Sequence, residues 1–167
     1  MIVSSLAGAT EAYLRHRPAR VISLLSEDEA PPPFAGLAPC GHLVLYVAHE
    51  SCAATISRAA RERARDIIDF AKGWDGAGDI LIHCNRGVAR STAAAFIILC
   101  IREPQTPEAA LMKRLRAAAP HADPCPLFVS YADDILGRNG RMADALDETC
   151  PPCAAMPAPT AVVKVAA

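Results

Sequence analysis

A short apolar strand pattern followed closely by a long apolar helix pattern constrains this chain more than any other feature. Residues 80–83, Ile-Leu-Ile-His, follow a run of turn residues at 74–79, which predicts a short buried strand. A helix is predicted from Arg90 to about Cys100, and its residues 93–99 are apolar almost all round, which is typical of a buried helix. The loop between them therefore lies at the carboxyl end of a strand and the amino end of a helix, where α/β proteins bind ligands.

The rest of the chain alternates strand and helix patterns. We therefore predict an α/β fold with a central, mostly parallel sheet flanked by helices. Residues 26–33 contain three prolines and three acids and are predicted to form a loop. Three further strands are predicted at 1–6, 20–25 and 43–48, and further helices at 10–16, 53–73, 107–118 (capped at Thr106), 127–137 and 140–148.

The composition changes near the end of the chain. A length of 167 residues suits one domain with a sizeable core, and we assign that domain to residues 1–148. Residues 149–167 are rich in Pro and Ala and are predicted to form a flexible tail. Cys150 and Cys153 in that tail have the spacing of a metal or redox pair. No second Cys/His pair is near enough to complete the roughly four ligands of zinc, so no metal site is assigned.

Charge and hydropathy argue against several classes of protein. The formal net charge is −1, whereas a nucleic-acid binder normally carries a basic excess. No run reaches the ~18 apolar residues of a membrane span, and residues 1–6 lack the basic start of a secretory signal. We therefore expect a cytoplasmic protein without nucleic-acid or membrane partners. The seven scattered cysteines are expected to be reduced thiols.

The loop after the predicted strand combines a thiol with groups that bind anions. Gly87 permits a curled backbone whose N–H groups point inward, and the first turn of the next helix adds partial positive charge. Arg90 adds a planar fork for two phosphate oxygens. These groups stabilise a thiolate at Cys84, which can attack phosphorus, and Ser91 is placed to help the sulfur leave. The predicted binding residues, besides Arg90, are Asn85, Arg86, Gly87, Val88 and Ala89.

These residues form the pattern His-Cys-x-x-Gly-x-x-Arg-Ser, which resembles the active-site loop of protein tyrosine and dual-specificity phosphatases. The chain looks most like small bacterial single-domain members, whose loop continues as residues 91–95 do here. The resemblance implies the phosphatase α/β fold, with Cys84 as nucleophile and Arg90 as phosphate ligand. It also implies that His83 hydrogen-bonds backbone near the cysteine and helps to hold the thiolate. No cofactor is expected.

The resemblance further implies a general acid, an Asp about 30–40 residues before the cysteine, to protonate the leaving oxygen. The corresponding window contains no Asp. Glu50, with its longer reach, and His49, whose ordinary pKa is near ~6.5, are the candidates, and a third possibility is that neither acts. His121 and Asp123 lie between prolines and are expected to be a plain connector rather than part of the pocket.

The predicted function is hydrolysis of phosphate monoesters, as in a protein tyrosine phosphatase. Its substrate would be a phosphorylated protein or a small phosphomonoester. Because the expected Asp is absent, a non-catalytic or weakly active phosphate-binding module is the alternative. Other thiolate chemistry, such as sulfur transfer or arsenate reduction, is a third, although Ser91 favours the phosphatase. Cys52, Cys100 and Cys125 are each candidates for a protective disulfide with Cys84.

Overall fold

A five-stranded sheet with helices on both faces forms the fold of this chain. It is described from a computed structural model covering residues 1–47, 53–147 and 158–165, the side chains of 53–57 excepted. The strands are β1 (Ile2–Ser5), β2 (Arg20–Leu25), β3 (His42–Tyr46), β4 (Ile80–Cys84) and β5 (Ala161–Val162). The helices are α1 (Leu6–His16), α2 (Ala53–Lys72), α3 (Arg90–Arg102), α4 (Glu108–Ala118), α5 (Pro126–Leu136) and α6 (Arg141–Asp147).

The sheet has the strand order β3-β2-β4-β1-β5. The pairs β2/β3, β2/β4 and β1/β4 are parallel, and only the edge pair β1/β5 is antiparallel. The mostly parallel α/β sheet predicted from the sequence is therefore confirmed. Because β1, β2 and β4 are parallel neighbours, their carboxyl ends meet at one edge of the sheet, where the loop after Cys84 begins.

Alternate residues of the strands enter two separate cores. On one face, Ile22 and Ile82 pack with α2, α3, α4, α5 and α6. On the other face, Val21 and Leu81 pack with α1. The sheet is covered on both sides, which explains why its strands are apolar runs rather than alternating apolar and polar residues.

Helix α3 is the centre of the larger core. All ten residues from Ser91 to Cys100 are buried. The helix packs against β4 and β1 on one side and α2, α4 and α5 on the other. Its amino end is therefore held at the carboxyl edge of the sheet, beside Cys84.

Two helix starts differ from the sequence predictions. Helix α1 begins at Leu6 rather than near residue 10, because Ser5 at the end of β1 caps it by accepting a hydrogen bond from the Gly8 N–H (3.3 Å). Helix α4 follows Pro107 without a side-chain cap, so the predicted cap at Thr106 is wrong. The Thr106 hydroxyl instead donates to the Glu103 carboxylate at 3.4 Å.

Residues 158–165 return to the sheet. Ala161 pairs with Val3 of β1, and the Val163 N–H donates to the Met1 carbonyl at 2.8 Å. The Val163 side chain is fully buried in the larger core. The flexible tail predicted over 149–167 is therefore wrong for residues 158–165, while the Cys150/Cys153 pair lies outside the described residues. In the described ranges no helix has both the length and the apolar character needed to cross a bilayer.

If the segment 158–165 is an integral part of the fold, its buried Val163 contributes to stability. We expect Val163→Ala to lower the free energy of unfolding by about 2 kcal/mol, because it leaves a cavity in the core. Val162→Ala is the matched control, since Val162 is 53% exposed, and it should change stability by less than ~0.5 kcal/mol. Urea unfolding measures both. Equal, small effects of the two substitutions would show that this segment does not pack on the sheet.

Candidate active site

The loop from Cys84 to Arg90 is fitted against the end of β1. Gly87 has φ +74°, and a Cβ there would lie 2.8 Å from the Ser5 nitrogen and 2.9 Å from the Ser4 carbonyl carbon. A side chain would collide with backbone, which cannot move aside, so both the conformation and the space require glycine. The Leu6 N–H also donates to the Asn85 carbonyl at 3.1 Å. The loop therefore takes its shape from a neighbouring strand as well as from β4 and α3.

The Cys84 thiol lies at the base of this loop and is 2% exposed. Its sulfur receives the Gly87 N–H at 3.3 Å and lies 3.2 Å from the Ser91 hydroxyl. The amino end of α3, with its unpaired N–H groups, adjoins the same sulfur. The Gly87 N–H and the amino end of α3 thus both direct positive electrostatic potential at the sulfur.

The Arg90 guanidinium is oriented by the end of β2. One terminal nitrogen donates to the Leu24 carbonyl (3.4 Å) and the other to the Ser26 hydroxyl (3.3 Å). These bonds hold the planar fork at the carboxyl edge of the sheet, as phosphate recognition requires.

A cleft of about 510 Å³ opens onto Cys84. Its described lining consists of Ser26, Cys84, Asn85, Arg86, Val88, Ala89, Arg90 and Asp123. The predicted nucleophile and phosphate ligand thus share one cavity with four of the five predicted binding residues. The fifth, Gly87, is buried beneath it, where its N–H reaches the sulfur.

The carbonyls of Val88 and Ala89 are used to anchor the surrounding structure. The Thr92 hydroxyl donates to both of them. The backbone N–H groups of Asp123 and Cys125 donate to Val88 and Ala89 respectively, at 3.1 and 3.2 Å. Because these carbonyls are turned away into hydrogen bonds, the N–H side of the loop is left for an anion.

Glu29 joins the proline-rich loop to the loop from Cys84 to Arg90. One carboxylate oxygen accepts the Ser26 N–H at 2.7 Å, and the other accepts the Asn85 side-chain amide. Burial by itself would raise the pKa of Glu29, but these hydrogen bonds and the nearby Arg90 charge outweigh it and lower the pKa. Glu29 is therefore an ionised structural link at neutral pH.

His83 has a different role from the one expected. The resemblance implied a hydrogen bond to backbone near the cysteine, and this is wrong. Its Nε2 lies 2.7 Å from the Ser23 hydroxyl, which also lies 2.8 Å from His42 Nε2. Its buried Nδ1 has no hydrogen-bond partner among the described residues. The ring packs edge-on against Phe34, with centroids 5.8 Å apart.

The surroundings of His83 favour its neutral form. Burial, with a smaller contribution from the nearby His42, lowers the pKa of His83 to about 4. Burial also lowers the pKa of His42. The His83 ring beside Cys84 is therefore uncharged at neutral pH.

The sequence and the fold of this chain were compared with those of known proteins. No family model matches the chain, and no curated protein matches its sequence. Solved structures do match. A phosphatase of Cydia pomonella, PTP-2, superposes with a TM-score of 0.59 at 19% identity, over 79% of this chain and 83% of that one. The fold is that of the dual-specificity phosphatases.

Two further structures share the phosphatase fold. DUSP15 superposes with a TM-score of 0.56 at 15% identity, over 89% of this chain and 91% of that chain. A human tyrosine phosphatase-like serine/threonine/tyrosine-interacting protein gives a TM-score of 0.55 at 16% identity, over 81% and 90%. The resemblance noted in the sequence is thus confirmed at the level of fold.

Both acids proposed from the sequence, His49 and Glu50, lie outside the described residues. Asp123, which was expected to belong to a plain connector, instead lines the cleft, and that expectation is wrong. Glu29 and Ser26 were missed as well. One signal could have revealed these two, because they follow β2, and the carboxyl ends of parallel neighbours β2 and β4 must lie together.

The structure distinguishes between the cysteines proposed as disulfide partners of Cys84. Cys100 lies ten residues into α3, about 15 Å along the helix, whereas a disulfide needs Cα atoms within about 7 Å. Burial also raises the pKa of Cys100 to about 12, so it is excluded as a partner. Cys125 adjoins the loop through its bond to Ala89, and Cys52 lies outside the described residues.

The buried environment of His83 predicts a pH dependence. Its pKa is about 4 when folded and near ~6.5 when unfolded, so only the unfolded chain gains the proton between these values. The stability contributed by neutral His83 is full above ~6.5 and declines as pH falls to about 4. We expect ¹⁵N NMR of the ring to show neutral imidazole throughout pH 5–8. An imidazolium signal at pH 6 in the folded protein would contradict this account.

Proposed function

We propose that this chain hydrolyses phosphate monoesters, with phosphotyrosine in proteins as the substrate, through a phosphocysteine on Cys84. The observation that carries the proposal is the placement of a buried thiol, its two donors and the Arg90 fork around one cleft. The phosphatase fold shared with the solved structures supports it.

In the first step, Arg90 and the loop N–H groups bind the phosphate oxygens and turn the phosphorus toward the Cys84 sulfur. The thiolate forms the S–P bond while the bond from phosphorus to the leaving oxygen breaks. The N–H groups also stabilise the negative charge on the phosphoryl oxygens in the transition state.

In the second step, water attacks phosphorus and the S–P bond breaks. The sulfur leaves as a thiolate, and the Ser91 hydroxyl at 3.2 Å stabilises it by donating a hydrogen bond. This gives Ser91 a role in the second step that a sulfur-transfer or arsenate-reducing site would not need.

A phenolic leaving group suits this site. Tyrosine has an ordinary pKa near ~10, so its oxygen leaves more readily than the alkoxide of serine or threonine. The demand on a proton donor is correspondingly smaller for phosphotyrosine.

A non-catalytic phosphate-binding module is the second candidate. The sequence lacks the Asp expected before the cysteine, and the same fold occurs in a protein named as phosphatase-like and interacting. Fold alone therefore does not establish turnover.

Turnover of 4-nitrophenyl phosphate separates the two candidates. The wild-type chain should hydrolyse it, and Cys84→Ser should reduce kcat by roughly 10³-fold or more because the hydroxyl is a far weaker nucleophile. Cys40→Ser is the matched control, since Cys40 is an exposed free thiol outside the cleft, and it should keep wild-type activity.

Binding of inorganic phosphate completes the test, measured by calorimetry on wild type and Cys84→Ser. Phosphate binding without turnover in the wild type would favour the binding module. Full activity in Cys84→Ser would overturn the assignment of the nucleophile. Glu50→Gln and His49→Ala, assayed alongside, test the two acids proposed from the sequence.

A further inference from the structure

We infer that Asp123 is the catalytic acid of this site, donating the proton to the leaving oxygen. The inference rests on the proposed phosphatase function and names a residue that the sequence pattern does not. Asp123 lies 39 positions after Cys84, on the opposite side in sequence from the acid implied by the resemblance.

The backbone around Asp123 is attached directly to the phosphate-binding loop. The Asp123 N–H donates to the Val88 carbonyl at 3.1 Å, and the Cys125 N–H donates to Ala89 at 3.2 Å. These two bonds fix the position of residues 123–125 relative to Cys84, whatever happens elsewhere in the cleft. A catalytic group needs a fixed backbone position of this kind to act at hydrogen-bond distance from its substrate.

Asp123 is an exposed residue between buried neighbours, and it belongs to the lining of the cleft. His121 and Ala122 before it and Pro124 after it are buried, whereas Asp123 is exposed. Arg116 of α4 holds this turn by donating to the Ala122 carbonyl at 3.3 Å. The residues around Asp123 are therefore buried while Asp123 itself is exposed. Asp123 lines the same cavity as Cys84 and Arg90.

Other carboxylates near the loop are unsuited to proton donation. Glu29 is close, but one of its oxygens accepts the Ser26 N–H and the other accepts the Asn85 amide, so neither oxygen is left to face a leaving group. Glu27 and Asp28 are exposed residues of the same loop that do not line the cleft. Among the residues that the structure describes as lining the cavity, Asp123 is the one with a carboxyl group.

The proton balance of both steps can be written with this one residue. As the Cys84 thiolate forms its bond to phosphorus, protonated Asp123 gives its proton to the leaving oxygen, which departs as a phenol. When water attacks the phosphocysteine, the Asp123 carboxylate takes a proton from it. The products are a phenol and inorganic phosphate, and both Cys84 and Asp123 return to their starting states.

Leaving-group dependence distinguishes a proton donor from a binding or structural residue. Phenyl phosphate has a poor leaving group that needs the proton, whereas 2,4-dinitrophenyl phosphate has a good one that does not. We expect Asp123→Asn to lower kcat/KM for phenyl phosphate by roughly 10²–10⁴-fold and to leave kcat/KM for the dinitrophenyl ester little changed, because kcat/KM reports the steps up to departure of the leaving group and not the later hydrolysis of the phosphocysteine. Asp134→Asn, at an exposed acid of α5 outside the cleft, is the matched control and should alter neither.

Several results would overturn the inference. Equal losses of kcat/KM for the two esters in Asp123→Asn would assign the residue to binding or folding. A loss selective for phenyl phosphate in Glu50→Gln or His49→Ala, but not in Asp123→Asn, would assign the acid to the segment before α2. Inhibition by inorganic phosphate should persist in Asp123→Asn, and its loss would also contradict the inference.

Failure of the proposed phosphatase function would give a different set of results in these assays. In that case the wild-type chain would not hydrolyse even 2,4-dinitrophenyl phosphate, or Cys84→Ser would hydrolyse it equally well, and the assignment of Asp123 would fall with the function. If the wild type is active and Cys84→Ser is not, an unselective Asp123→Asn removes the inference about Asp123 alone.

Discussion

The close contact between Gly87 and the carboxyl end of β1 is the constraint on which the site depends. A Cβ at Gly87 would come within 3 Å of the Ser4 and Ser5 backbone, so the loop can curl against β1 only because this residue has no side chain. The same contact places the Gly87 N–H at the Cys84 sulfur. Strand β1 is in turn held between β4 and β5, so the segment near the end of the chain supports the loop indirectly.

The two acidic residues beside the loop, Glu29 and Asp123, have different surroundings. Glu29 has hydrogen-bond donors on both oxygens and a nearby guanidinium, and these keep it charged and fixed. Asp123 has its backbone fixed but its side chain exposed to the cleft. Glu29 therefore has a structural role, whereas Asp123 is the acid that we infer to take part in the reaction. Two similar groups that share a site often differ in this way.

Local patterns account for the parts of the molecule that the sequence predicted. The strand at 80–84 and the helix from Arg90 each have a strong period or apolar run, and the proposed nucleophile and phosphate ligand lie at their junction. Strand β5 has two residues and therefore no period to detect. The hydroxyl partner of His83, Ser23, lies 60 positions away, and the cleft position of Asp123 depends on bonds to a loop over 30 residues earlier. Such contacts come from tertiary packing, which local periodicity does not encode.

The central claim is that Cys84 forms a covalent bond to phosphorus during turnover. Rapid acid quench of the chain during hydrolysis of 2,4-dinitrophenyl phosphate, followed by peptide mass spectrometry, tests it directly. The account predicts one phosphoryl group on the peptide containing Cys84, carried by its sulfur and absent in Cys84→Ser. Steady turnover with no phosphoryl group on Cys84, or with the group on another residue, would contradict the account.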